Sequence, residues 1–276
     1  MNRIGKTVLL AMVLLSACRA PGAGVAACKD SNPDVSIGAC TALLQSGGLS
    51  DTARANALQN RGIAYRVKGD YDRAIADHDQ AITLRPGFAA AFNSRGFAYQ
   101  LKGDFERAIA DYNAATNLKP DLAAALKNRG RTEFYLGRFA DAATDLRAGL
   151  RFDSSNAYNV IWLYLATMRL GSADAQDFAA QLVRTDSVRW PAPVARFYLG
   201  RLTAEQLMAA ASKIDARIRT DQRCSAAFYI GESELWLHRF AEAAQHFREA
   251  VATCSRDFSE YQGAAAELGR SGATAH

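Results

Sequence analysis

The chain has 276 residues, 49% of them hydrophobic and 22% charged, which is long enough for an extended repeat domain and too apolar for a disordered protein. Its formal charge of +5 arises from 33 basic and 28 acidic residues that are interspersed along the sequence. No basic stretch resembles a nucleic-acid-binding patch, so we predict no nucleic-acid partner.

The N-terminal segment has the pattern of an export signal. A short basic start is followed by the apolar run Val8–Leu15, which is too short to span a bilayer but typical of a signal-peptide core. The sequence Leu15-Ser16-Ala17-Cys18 resembles the lipobox of bacterial lipoproteins, which implies lipidation of Cys18 and attachment to the outer or the inner membrane. A cut after Ala27 is the alternative, and it would release a soluble periplasmic protein.

A 34-residue repeat dominates the middle of the chain. The triplet Asn60-Arg61-Gly62 recurs as Ser94-Arg95-Gly96 and again as Asn128-Arg129-Gly130. The pattern resembles the tetratricopeptide repeat, in which each unit is a pair of antiparallel helices and the units stack into a solenoid. The first unit begins at Ala55, a degenerate fourth unit begins at Ala157, and a last unit begins at Cys224 after the period has been lost.

We therefore predict an all-α tetratricopeptide-repeat solenoid of antiparallel helix pairs with about 13–15 helices. Two segments, Thr203–Gln206 and Asp257–Glu260, have the pattern of a capping box at a helix start. The predicted segments are a signal peptide (1–17), an anchor linker (18–30), an N-terminal capping helix (31–53), repeat units 1–4 (54–172), an irregular helical linker (173–223), and a C-terminal repeat-like unit with its capping helix (224–270).

The repeat register predicts which side chains meet across each hairpin. Small residues occupy the closest approach of the two helices, so Gly62 is expected to face His78 and Gly96 to face Tyr112. In the first three units, arginine and aspartate occupy positions that are nearly level across the hairpin, which predicts a structural ion pair in each of these units. An arginine ladder that binds an anion is the alternative interpretation. The predicted pairs are Arg61–Asp77, Arg95–Asp111 and Arg129–Asp145.

The positions of the five cysteines predict two disulfides. Cys224 and Cys254 lie at the open end of the last hairpin, where a disulfide would join its two helices. Cys28 precedes the capping helix and Cys40 lies within it, which makes them the remaining pair. If Cys18 carries lipid, the other four are an even number, as expected in an oxidising compartment.

The segments after the repeats carry a closer resemblance. Ile161–Ala166, Arg196–Gly200, Leu202–Met208 and Phe228–Gly231 follow one another as in NlpI-type lipoproteins, and the resemblance covers nearly the whole mature chain. It implies a homodimeric outer-membrane lipoprotein that acts as an adaptor, bringing cell-wall hydrolases to a periplasmic protease. This chain departs from that family in its two predicted disulfides and in the linker after Arg184, which leaves the identity of its partner open.

No catalytic constellation is evident. The four histidines, His78, His238, His246 and His276, fit no zinc spacing together with the cysteines, and His78 occupies an aromatic core position of its repeat. Phosphate-binding loops and nucleophile elbows are absent from the sequence. We predict a non-enzymatic protein without metal or cofactor; an enzyme would require a hidden site around Trp190 to Tyr198.

Recognition of a protein or peptide partner in the cell envelope is therefore the predicted function. In this repeat family the first helix of each unit forms the inner surface, where amides pair with an extended peptide backbone and aromatic side chains anchor it. A structural assembly factor for outer-membrane or pilus machinery is the alternative. The predicted partner-binding residues are Asn56, Gln59, Arg66, Asn93, Phe97, Gln100, Lys127, Arg131, Phe134 and Tyr135.

Overall fold

The computed structural model describes residues 26–183, 190–212 and 216–272, with the backbone alone described for 216–219. These residues form 14 helices and no strand, as the all-α prediction requires. The helices are α1 Pro33–Gln45, α2 Asp51–Val67, α3 Tyr71–Leu84, α4 Ala89–Leu101, α5 Phe105–Leu118, α6 Ala123–Tyr135, α7 Phe139–Phe152, α8 Ala157–Arg169, α9 Ala175–Leu182, α10 Ala192–Tyr198, α11 Ala204–Ala211, α12 Ala216–Trp236, α13 Phe240–Thr253 and α14 Ser259–Arg270.

The helices are arranged as stacked hairpins. Helix α2 packs on α3, α4 on α5, α6 on α7 and α12 on α13, and each second helix of the first three hairpins also contacts the next first helix. The first helices α2, α4, α6 and α8 therefore lie side by side and form the inner surface of a solenoid. One hairpin cannot bury its apolar face alone, and stacking supplies the cover.

Local sequence explains how each hairpin turns. Gly69 and Gly103 adopt φ values of 78° and 80°, a left-handed conformation that costs glycine little. The next residue, Asp70 or Asp104, accepts a hydrogen bond from the backbone N–H of Arg73 or Arg107 and so caps the second helix. The corresponding turn of the last hairpin has His238 at φ 60° in place of the glycine.

The helices of each hairpin approach most closely at the predicted glycines. A Cβ atom added to Gly62 would lie 2.7 Å from Cε1 of His78, and one added to Gly96 would lie 2.9 Å from Cε1 of Tyr112. Real Cβ atoms do not come that close to a neighbour, so any other residue at these positions would require the facing ring or its helix to shift. The predicted facing of these residues is confirmed.

All three predicted ion pairs are present across the hairpins. Arg61, Arg95 and Arg129 each donate two hydrogen bonds of 2.6–2.8 Å to the buried aspartate of the partner helix. The third nitrogen of each guanidinium reaches the preceding layer: that of Arg95, for example, contacts Asp79 of α3 at 2.6 Å. The ladder therefore joins the helices within a repeat and also joins successive repeats.

The two predicted disulfides are also present. Cys28 and Cys40 are bonded with their Cα atoms 4.7 Å apart, and Cys224 and Cys254 with their Cα atoms 5.1 Å apart. The first attaches the segment before α1 to that helix, and the second joins the open ends of α12 and α13. The predicted lipidation site, Cys18, lies outside the described residues, as does the predicted signal peptide. In the part of the chain that the structure describes, no helix is sufficiently long and apolar to span a bilayer.

Capping boxes were predicted at two helix starts, and one of the two is present in the structure. The capping box predicted at Thr203–Gln206 is present, with both reciprocal hydrogen bonds. The one predicted at Asp257–Glu260 is wrong, because Phe258 precedes α14 and no side chain caps that helix. The Asp257 carboxylate instead accepts a hydrogen bond of 2.5 Å from the hydroxyl of Ser255.

The segment limits also shift in the structure. Helix α1 ends at Gln45, and α2 begins at Asp51 with Ser50 as its N-cap, so the segment 31–53 contains one helix and the start of the next. Helix α12 begins at Ala216, inside the segment 173–223 that was predicted as a linker.

Candidate functional site

The C-terminal helix α14 covers part of the inner surface. It packs against α12 and α13 and also against α6, one of the first helices of the repeats. The hydroxyl of Tyr135 donates to the carbonyl of Ser259 at 3.2 Å, and Nη1 of Arg270 donates to the carbonyl of Tyr135 at 2.6 Å. Both ends of α14 are therefore attached to the end of α6.

Aromatic side chains fill the space beneath this helix. A Cβ atom added to Gly263 would lie 2.6 Å from Cε2 of Phe228 and 3.2 Å from Cη2 of Trp162, so α14 approaches these rings by its bare backbone. The ring of Trp162 lies 5.3 Å from that of Phe228 and 5.1 Å from that of Phe134, measured between centroids. These rings belong to the main core of the C-terminal half.

Buried charges also bind α14 to the solenoid. Nη1 of Arg169, on α8, lies 2.6 Å from Oε1 of Glu267 on α14 and 3.3 Å from Oε2 of Glu232 on α12. Burial and the neighbouring Glu267 raise the pKa of Glu232, and Arg169 opposes the shift. Two turns earlier on the same helix, the hydroxyl of Tyr229 donates to Glu260 at 3.0 Å.

Phe134 and Tyr135, two of the predicted anchors for a partner, are thereby occupied by the chain itself. Their exposures are 0% and 3%, because Phe134 packs on Trp162 and Tyr135 lies beneath α14. Their prediction as partner-binding residues is corrected. The repeat pattern places them on the inner surface, but it carries no information about a later helix that returns to cover them.

Three polar residues of the predicted site are likewise buried in internal contacts. Gln59 donates to the hydroxyl of Ser94 at 2.7 Å, which joins α2 to α4. Oε1 of Gln100 accepts from two buried hydroxyls, those of Tyr112 (3.0 Å) and Thr132 (2.9 Å). Lys127 forms an ion pair with Asp153. These three side chains join helices to one another, and their predicted role in binding a partner is corrected as well.

The other five residues of the predicted site remain accessible on α2, α4 and α6. Asn56 is exposed, and Arg66, Asn93, Phe97 and Arg131 are half-buried. The guanidinium carbon of Arg66 lies 4.9 Å from the centroid of the Phe97 ring, a cation–π contact between neighbouring repeats. This part of the inner surface therefore presents amides, an aromatic face and two cations.

Two asparagines that were not predicted belong to the same surface. Nδ2 of Asn128 donates to Oδ1 of Asn93 at 3.1 Å, and Nη2 of Arg131 donates to Oδ1 of Asn128 at 2.5 Å. Asn60 is equivalent to Asn128, two repeats earlier. Their recurrence at the same repeat position was the signal that could have identified them, because a polar residue there faces the interior of the solenoid. We use the term open inner surface for Asn56, Asn60, Arg66, Asn93, Phe97, Asn128 and Arg131.

A cleft of about 300 Å³ lies at the N-terminal end of the open inner surface. Asn56 and Asn60 line it together with Phe88, and the disulfide-bonded segment contributes Cys28 and Lys29. Extended polypeptides are recognised in surfaces of this type through amide contacts to the backbone and pockets for side chains. Elsewhere, among residues 26–183, 190–212 and 216–272, no group of three or more His, Cys, Asp and Glu side chains is placed to hold a metal ion.

Comparison with known proteins identifies the hairpins. Family models of the tetratricopeptide repeat match residues 55–88 and 89–122, which are the hairpins α2–α3 and α4–α5 with their turns. Residues 55–122 therefore match two consecutive tetratricopeptide repeats. Repeats of this kind bind other proteins or peptides, so the chain carries a scaffold for protein–protein interaction.

Similar folds are found among solved structures. A tetratricopeptide repeat protein from Parabacteroides merdae is 15% identical, with 90% of this chain and 96% of that chain covered and a TM-score of 0.57. The first tetratricopeptide-repeat domain of Spaghetti (RPAP3), solved with an HSP90 peptide, is 26% identical over 46% of this chain and 100% of that chain, with a TM-score of 0.43. The first of these similarities supports the solenoid fold for nearly the whole chain.

Proposed function

We propose that this protein is a non-catalytic adaptor that binds an extended segment of a partner protein along the open inner surface. The observation that supports this most directly is the division of the inner surface into two parts. Helix α14 closes the part around Phe134 and Tyr135, whereas Asn56, Asn93 and Phe97 are left accessible. Amides can pair with the backbone of an extended peptide, and the Phe97 ring offers apolar contact.

We further propose that the adaptor works in the bacterial envelope as a lipoprotein. The basic start, the apolar run Val8–Leu15 and the lipobox-like Leu15–Cys18 support export and lipidation at Cys18. The two disulfides support an oxidising compartment. The resemblance to NlpI-type lipoproteins supports a role in joining a protease to cell-wall hydrolases, and a homodimer. In that setting a multiply acylated cysteine would hold the protein on a membrane.

The lipid anchor is tested by labelling. In bacteria expressing the full chain and fed a palmitate analogue that carries an alkyne, we expect the label on the wild-type protein and none on the Cys18→Ser variant. Because the competing cleavage after Ala27 would remove Cys18, an unlabelled and soluble wild-type protein would contradict the lipoprotein proposal. The Cys28→Ser variant is the matched control, and it should keep the label.

The binding surface is tested by photo-crosslinking. Val67, on α2, is 56% exposed next to Arg66, so a photoreactive phenylalanine analogue placed there should reach a bound partner without disturbing the core. Ala110, exposed on the second helix α5, is the control position. We expect crosslinked adducts from position 67 in intact cells and few from position 110, with the captured protein identified by mass spectrometry.

Two results of the crosslinking experiment would contradict the adaptor proposal. One is equal capture from both positions, which would indicate random collisions. The other is an undiminished yield of adducts when Phe97 is replaced by alanine in the protein that carries the crosslinker. Phe97 is the accessible aromatic residue of the surface, so its loss should weaken binding of the partner. The comparison is made on variants whose circular dichroism and melting temperature match those of the parent.

A further inference from the structure

Most half-buried arginines of this fold have a carboxylate partner. Those of the hairpins, Arg61, Arg95 and Arg129, hold an aspartate, and Arg169 holds two glutamates. Pairing of this kind is expected, because a cation that is partly removed from water loses hydration energy unless an anion or hydrogen-bond acceptors replace it.

Arg66 is one of two exceptions on the open inner surface. No carboxylate in the described residues lies within salt-bridge distance of it, and its guanidinium is stacked on the Phe97 ring. Burial lowers the pKa of Arg66, and the charge of Asp257, on the loop before α14, opposes this lowering. The Arg66 guanidinium is therefore partly removed from water, and the negative charge of Asp257 acts on it.

Arg131 is the second exception. Its only hydrogen bond within the described parts of the chain is donated by Nη2 to the neutral amide oxygen of Asn128. Its Nε is fully buried and has no partner. An unsatisfied donor on a charged group is costly to bury, so a ligand oxygen that reached this guanidinium would gain a strong hydrogen bond.

The two arginines flank the same repeat. Arg66 is on α2 and Arg131 is on α6, and α4 with Phe97 lies between these helices. A ligand that crosses α4 on the inner surface therefore meets a cation on either side of an aromatic face.

We propose that Arg66 and Arg131 form an anion subsite that takes a side-chain carboxylate, aspartate or glutamate, of an extended partner segment. This inference rests on the proposed function and specifies the chemistry of its ligand. An acidic side chain binds either guanidinium group, the amides of Asn93 and Asn128 contact the backbone, and an apolar neighbour of the acidic residue covers Phe97. Carboxylates are also the partners of Arg61, Arg95, Arg129 and Arg169, which are half-buried in the same way.

The test uses an mRNA-displayed library of random decapeptides, attached through the C terminus so that only side chains carry carboxylates. The library is selected on the full mature chain, on an Arg66→Gln/Arg131→Gln variant, and on an Arg147→Gln/Arg151→Gln control with the same change of charge on the exposed face of α7. Circular dichroism and thermal melting establish that the three proteins are folded. The best peptide and its Asn/Gln counterpart are then measured by fluorescence polarisation.

We expect the peptides recovered on the wild-type and control proteins to be enriched in aspartate and glutamate, and those recovered on the Arg66→Gln/Arg131→Gln variant not to be. The best peptide should bind the Arg66→Gln/Arg131→Gln variant about tenfold or more weakly than the wild type, the effect of a lost hydrogen bond to a charged group. Asp257→Asn should strengthen binding of the acidic peptide about two- to fivefold, because it removes an exposed competing charge.

Two other outcomes would overturn the inference, and they differ in what they leave standing. If all three proteins recover peptides with the same content of acidic residues, the subsite is refuted while the adaptor proposal survives. If none of them recovers peptides, the adaptor proposal fails in this assay and the subsite fails with it.

Discussion

Replacing His78 by phenylalanine is expected to make this protein much more resistant to mild acid. His78 is fully buried opposite Gly62, and neither ring nitrogen has a hydrogen-bond partner. Burial, together with the positive charges of Arg66 and Arg95, lowers the pKa of His78 to about 3. The next repeat carries Tyr112 at the equivalent position, so an aromatic six-membered ring can occupy this slot.

The direction of the effect follows from proton binding. The unfolded chain binds a proton at His78 below a pKa near 6.5, whereas the folded protein does not until about pH 3. Stability is therefore complete above about pH 6.5 and is lost as the pH falls towards 3. At about 1.4 kcal/mol per pH unit, the loss from this residue reaches about 2 kcal/mol by pH 5.

Urea denaturation at pH 8 and pH 5 measures this difference. We expect His78→Phe to remove about 2 kcal/mol of the acid-induced loss and to raise stability at pH 8 by about 1 kcal/mol, because two unsatisfied nitrogens leave the core. His238→Asn is the control: His238 is exposed in a turn, and the loss should persist. An acid-induced loss of equal size in His78→Phe and wild type would refute the explanation.

Replacing Arg169 by methionine should destabilise the protein by about 3 kcal/mol at pH 8. The change leaves Glu232 and Glu267, with exposures of 1% and 3%, without the cation that lies between them. Glu267 keeps its ion pair with Arg270, but Glu232 already has one buried oxygen without a partner and loses its cation. An uncompensated buried carboxylate is the main cost.

Protonation should relieve part of that cost. Burial raises the pKa of Glu232 above its usual value, so the folded state takes up a proton there more readily than the unfolded chain, and its stability falls as the pH rises. Without Arg169 this shift grows, and we expect the deficit of Arg169→Met to be smaller at pH 5.5 than at pH 8, as measured by urea denaturation.

A second substitution and a control distinguish this mechanism from simple loss of packing. Adding Glu232→Gln to Arg169→Met should recover a large part of the stability at pH 8 and abolish the pH dependence of the deficit. Arg223→Met breaks a half-exposed pair, 3.7 Å from Glu249, and should cost less than about 1 kcal/mol. Failure of the second substitution to recover any stability would count against the buried-charge explanation.

The repeat pattern was enough to predict the hairpins and their internal contacts. The 34-residue spacing fixes which side chains are level across two antiparallel helices, so the facing of Gly62 and His78 and the pair Arg61–Asp77 followed from sequence positions alone. The Cys224–Cys254 disulfide followed from the same register. Such contacts are local, and neighbouring residues determine them.

The binding surface was predicted only in part, because accessibility is not a local property. Gln59 and Asn56 lie on the same helix, but their surroundings differ. Gln59 is hydrogen-bonded to the hydroxyl of Ser94 in the next repeat, whereas Asn56 is exposed. Asn60 and Asn128 were overlooked because the prediction used a fixed set of repeat positions. Lys127 was expected to meet a ligand and instead pairs with Asp153.

The sequence by itself determined the all-α solenoid, the register of its hairpins and the side of each hairpin that faces inwards, since helix pairing depends on residues one repeat apart. Only the tertiary structure decided which part of the inner surface stays open. Helix α14 is far from α6 in sequence, and its position depends on apolar contacts of Gly263 with Phe228 and Trp162 and on the Arg169 ion pairs. Contacts between such distant segments leave no periodic signal in the chain.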